Sequence, residues 1–99
     1  MAAPTRVAAS LANCRWGAFD ASFPPVASVD PGEVVILECL SGGPEVMPPQ
    51  EKMMAVHPML REVHAKLPRL GAHIITGPVE VRGAEPGDAL RIDIEKIEL

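Results

Sequence analysis

Apolar and polar positions alternate with a period of two over two short stretches late in the chain. Val79 and Val81 alternate with Glu80 and Arg82, and Leu90, Ile92 and Ile94 alternate with Arg91, Asp93 and Glu95. That period predicts strands with one buried face. Between them lies Ala84-Glu85-Pro86-Gly87-Asp88. Proline pre-sets a negative φ at the first central position of a turn, and glycine takes the positive φ that a type II turn needs at the second. The same device occurs earlier, at Asp30-Pro31-Gly32-Glu33, between a short strand at Val26–Val29 and the apolar run Val34–Leu40. A β-branched, nearly continuous run of this kind predicts a strand covered on both faces. The two strand–turn–strand units together predict a repeated hairpin.

Helical spacing is found in one place. His57-Pro58 opens it, with proline in the first turn, where its missing N–H costs nothing. Met59, Leu60, Val63 and Leu67 then fall on one side, while Arg61, Glu62 and Lys66 face water. Pro68 and Gly71 stop the helix, which is short enough to need packing on a sheet to persist. Upstream, Ser41–Pro49 reads as loop, and Gln50–Val56 as a helical turn or part of a long excursion. Met1–Leu11 is Ala-rich and reads as a loose lead-in or a first strand. Asn13–Ser22 gathers Trp16, Phe19 and Asp20 into one cluster. Either the aromatics pack into the core at a strand edge, or Trp16 and Phe19 wall a small pocket into which Asp20 faces. The pattern as a whole predicts a mainly β fold: short antiparallel strands in a sandwich or half-barrel, with one short helix in a long crossover. Residues 1–15 form the lead-in or first strand, and residues 16–99 the β domain.

Composition narrows the function classes. At 99 residues the chain has room for one domain and a modest core. Trp16, Phe19 and Phe23 are its only aromatics, so there is no stacking platform for single-stranded nucleic acid. The net charge of −4 argues against a polyanion partner as well. No stretch approaches membrane-spanning length, the N-terminal apolar run is shorter than a signal-peptide core, and a cytoplasmic location is the default. Cys14 and Cys39 are too few and too far apart for a disulfide scaffold or a CxxC site. Gly42-Gly43 lacks the spacing and the lysine of a phosphate-binding loop.

Candidate chemistry rests on His57, His64 and His73. None matches an established metal-binding spacing. His64 lies mid-helix, His57 begins the helix, and His73 sits between a helix stop and the Gly77-Pro78 bend. Loops of the last kind bring functional groups to a rigid edge, although a histidine beside Ile74 and Ile75 also suits a packed core. Asp20, Glu38 and Glu45 are carboxylates that could join it, with no local spacing to choose among them.

The run GAHIITGPVEVRGAEPGDALRIDI, Gly71 to Ile94, resembles the signature of the acetamidase/formamidase family of amide-hydrolysing enzymes. Trp16-Gly17-Ala18-Phe19-Asp20-Ala21-Ser22 and the segment from Pro25 to Glu38 resemble its opening motifs. The resemblance runs in order from about Trp16 to Leu99 and corresponds to the N-terminal portion of considerably longer chains. It implies a jelly-roll-like sandwich and hydrolysis of formamide or acetamide to carboxylate and ammonia. A divalent metal, most simply zinc, would polarise the carbonyl and acidify a bound water. Among the candidates the resemblance points to His73 and Asp20 as metal residues and to Trp16 and Phe19 as the substrate pocket. It also implies a homo-oligomer or association with a chain carrying the rest of the enzyme. The alternatives are one subunit of a split amidase and a non-catalytic β module that serves as an interaction piece.

Overall fold

A computed structural model describes residues 3–49 and 55–99. The expected excursion at Gln50–Val56 therefore lies mostly outside the described residues. Six three-residue strands and one helix follow in the order β1 Thr5–Val7, β2 Cys14–Trp16, β3 Ala27–Val29, β4 Val35–Leu37, α1 Pro58–Lys66, β5 Ile74–Thr76 and β6 Val79–Val81. A single 3-10 turn at Pro44–Val46 interrupts the loop after β4. The chain is mainly β, as its pattern predicts.

The strand pairing differs from the predicted antiparallel hairpins. β1 pairs with β4 in parallel, β3 pairs with β6 in parallel, and only β2 with β5 is antiparallel. These form three two-stranded sheets, and no described pair joins strands adjacent in sequence. Both Pro-Gly turns form, with Gly32 at φ 88° and Gly87 at φ 96°. In each, the N–H of the fourth residue donates to the carbonyl of the first, at 3.1 Å for Glu33 to Asp30 and 3.0 Å for Asp88 to Glu85. The fourth residue's carboxylate returns to the first residue's N–H, at 2.7 Å for Glu33 and 2.8 Å for Asp88. What the turns do not make is hairpins. Turns of types I and II splay their flanking strands, whereas tight hairpins favour the mirror-image types. The first turn therefore carries the chain out of the β3–β6 sheet and into the β1–β4 sheet. Beyond the second, residues 88–99 contain no strand, although their alternation is intact.

The apolar run Val34–Leu40 is not covered on both faces: β4 occupies only its middle, and Val34, Ile36 and Leu37 are exposed. The core lies instead against α1. Leu60 and Val63 of the helix pack with Ala9, Cys14, Trp16 and Leu40, and Met59, Leu67 and Ile74 surround them. This is the helix face that the spacing predicts. His57 caps its N-terminus, the ring Nδ1 accepting from the Met59 N–H at 3.0 Å. Glu38 and Thr76 join two sheets: Glu38 N–H donates to the Val7 carbonyl, and the Thr76 hydroxyl donates to the Glu38 carbonyl at 2.8 Å. No described helix is long and apolar enough to cross a membrane.

Candidate functional site

The β2–β5 ladder positions the site. Its register sets Trp16 opposite Ile74, and the pairing ends where the Gly17 N–H donates to the His73 carbonyl. Beyond that bond the two chains diverge as Gly17-Ala18-Phe19 and Gly71-Ala72-His73. An open hollow of about 470 Å³ lies between them, with Ile75 completing its lining. The close crossing depends on glycine. A Cβ on Gly71 would lie 2.8 Å from the Gly17 carbonyl oxygen, and one on Gly17 would lie 3.1 Å from the His73 carbonyl oxygen. From the sequence Gly71 is a helix stop and the first residue of one family segment, and Gly17 belongs to the other, but nothing in either brings the two together. The signal available was a glycine directly before each of the two chemistry-bearing segments.

His73 and Phe19 therefore meet at one concavity. His73 is exposed, and no described group hydrogen-bonds to its imidazole, so it is not a packed core residue. Phe19 is 96% exposed, an unusual state for an aromatic ring. Trp16 sits just behind the hollow but does not line it, being only 2% exposed. His64 stacks on the indole with ring centroids 5.7 Å apart, and the Arg69 guanidinium lies 4.6 Å from its centroid. Arg69 in turn holds both carboxylate oxygens of Glu45, at 2.9 and 2.7 Å. The tryptophan is thus a core residue whose surroundings fix the start of the Gly17 strand end.

Asp20 follows Phe19, does not line the hollow, and has one carboxylate oxygen tied into its own turn. Its Oδ1 accepts from the Ser22 N–H at 2.8 Å, and this bond holds its carboxyl below the ordinary range. The other candidate carboxylates have structural duties. Glu38 accepts from the Ala9 N–H at 3.0 Å and from Arg6 at 2.8 Å, bonds that lower its pKa. Glu45 is lowered to about 2 by its hydrogen bonds from Arg69. His64 is tied to the Gly42 carbonyl at 2.8 Å, and His57 is the helix cap. Of the three histidines, His73 is the one with no described hydrogen-bonding partner at its ring. Among the described residues no three His, Cys, Asp or Glu side chains are grouped so as to hold a metal ion. Both cysteines are free, Cys14 buried and Cys39 exposed.

Residues 4–99 match the Acetamidase/Formamidase family. The match spans nearly the whole chain and takes in both the Trp16–Ser22 segment and the Gly71–Asp88 segment, and the chain belongs to this family. No curated protein and no solved structure matches it.

Proposed function

We propose that the chain serves the hydrolysis of short linear amides, of the formamide and acetamide class, to a carboxylate and ammonia. The observation that supports this reading is the meeting of the two family segments at one hollow, with an exposed imidazole on one wall and an exposed phenyl ring on the other. An open space of about 470 Å³ is ample for so small a substrate. Phe19 is the apolar surface against which the acyl group rests, and Trp16 acts from behind by fixing the strand end at Gly17.

The metal is part of the proposal, with zinc the simplest choice. A zinc site in an amidase takes three protein ligands and keeps one position open, and its contribution is Lewis acidity at the substrate carbonyl. The described residues do not complete such a set. They offer His73, whose ring nitrogens carry no competing bond, and Asp20, one of whose oxygens is already engaged. His73 is proposed as a ligand and Asp20 as a ligand or its partner, and no chemical step is assigned through the metal. Exposed apolar side chains at Leu90, Ile92 and Ile94 favour, in addition, a chain that works in association with another.

The reading is tested by ammonia release from formamide, acetamide and a bulky aromatic amide, comparing wild-type protein with Phe19→Ala and His73→Ala. Release from the two small amides, lost on His73→Ala while the melting curve stays unchanged, is the expected result. Undiminished release by a folded His73→Ala variant contradicts the assignment of His73.

A further inference from the structure

Cys14 and Trp16 turn one face of β2 into the core, so Arg15 between them faces the other way. The register sets Arg15 directly opposite Ile75, and residues directly opposite share a face. That face is the hollow's, since Ile75 and His73 both line it. Gly17, two residues on from Arg15, has no side chain, and its N–H is bonded to the His73 carbonyl. No side chain on β2's continuation therefore stands between Arg15 and the imidazole. Arg15 does not itself line the hollow but stands across the ladder from its Ile75 wall.

The Arg15 guanidinium is held but not neutralised. Its carbon lies 3.9 Å from the centroid of the Phe23 ring, which fixes it by a cation–π contact. The Asp20 turn brings Phe23 there, with the Phe23 N–H donating to the Asp20 carbonyl at 3.1 Å. Arg15 Nε is buried and has no acceptor among the described residues, although those residues themselves enclose it. The outer edge, Nη1 and Nη2, is not enclosed and makes no described hydrogen bond. Arg6, Arg69 and Arg82 each hold a carboxylate, whereas Arg15 holds none among the described residues. Asp20, close by in sequence, is committed to the Ser22 N–H.

We propose that the outer edge of Arg15 is a carboxylate-binding site beside the hollow, taking the small acid that amide hydrolysis leaves there. A guanidinium offers two parallel N–H donors that match the two oxygens of a planar carboxylate. With Nε walled in, the acid binds end-on through Nη1 and Nη2, while Phe23 keeps the guanidinium in place. A spherical anion meets the same charge without the two-point match. The choice of a carboxylate rests on the amidase reading, but binding is measured without turnover, so the two can fail separately.

The probe is carboxyl-labelled acetate, titrated into the full-length or reassembled enzyme at constant ionic strength made up with chloride, and followed by its carboxyl NMR signal. The wild type should bind it saturably. Arg15→Met keeps an apolar stem and removes every donor, and should weaken binding by about tenfold or more. Its melting temperature should not fall, because the change also removes the buried, unpartnered Nε. Arg15→Lys keeps the charge but not the fork, and should lose most of the preference for acetate over chloride while remaining folded. It is the deciding variant should Arg15→Met fail to fold. No saturable binding by the wild type overturns the proposal. So does binding undiminished in folded Arg15→Met, or a preference for acetate unchanged in Arg15→Lys. Acetate binding that is lost on Arg15→Met, in an enzyme that releases no ammonia from any amide, would refute the amidase reading and leave this site standing.

Discussion

Gly71→Ala is the substitution that probes the site's architecture most sharply. Its Cβ would stand 2.8 Å from the Gly17 carbonyl oxygen and 3.4 Å from Gly17 C and Cα, all backbone atoms that cannot swing aside. Something must move, and the adjacent bond from the Gly17 N–H to the His73 carbonyl is the one in the way. Forcing extra atoms into a closed contact costs about 1–3 kcal/mol. For a domain of this length that corresponds to a fall in Tm of roughly 5–20 °C. The assay is urea and thermal unfolding followed by Trp16 fluorescence, since the single tryptophan is buried beside the crossing. Gly87→Ala is the control. That glycine has φ 96° but no atom within 4 Å of an added Cβ, so its cost is backbone strain alone, about 1 kcal/mol. Gly71→Ala should also alter the hollow, so that ammonia release falls further than stability does. A Gly71→Ala protein as stable as wild type, with unchanged activity, would refute the close crossing of the two segments.

Two further outcomes are expected. Gly32→Ala, at φ 88° and likewise in open space, should cost about as much as Gly87→Ala, and neutrality of both in denaturant melts would remove the type II turn assignment. Glu45 lies at about 2 rather than the ordinary 4.5 because Arg69 hydrogen-bonds its carboxylate, so the folded state binds that proton less readily than the unfolded chain. The ion pair's contribution is therefore present above pH 4.5 and lost as pH falls towards 2, and Glu45→Gln should flatten the stability curve in that window only.

What was legible in the sequence was local. Pro31-Gly32 and Pro86-Gly87 set their own turns, because proline and glycine restrict φ without help from the rest of the chain. The spacing of Met59, Leu60, Val63 and Leu67 set the buried face of α1. Pairing was not legible, since β1 finds β4 and β3 finds β6 across long stretches of chain, and alternation alone does not name a partner. The same limit explains Val34–Leu40, whose apolar character implied a covering layer that the described chain does not supply. At the site, the segments flanking the hollow were marked by their residues, but the roles within them were divided by burial. Trp16 went into the core against His64 and Arg69, and Phe19, three residues on, stayed outside. His73 and Ile74 are neighbours in sequence, yet only Ile74 packs against the core. β2 stops at Trp16, directly before the close crossing of Gly17 with Gly71, a residue far away in sequence.

Zinc stoichiometry tests the central claim most directly. Wild-type and His73→Ala chains, each within the full-length or reassembled enzyme, are loaded with zinc, desalted and measured by elemental analysis, with melting curves recorded on the same samples. Because His73 is exposed and makes no described hydrogen bond at its ring, its replacement should leave stability within about 0.5 kcal/mol. The account predicts zinc in the wild type and its loss from a His73→Ala protein that melts at the same temperature. Full zinc occupancy in folded His73→Ala would contradict it.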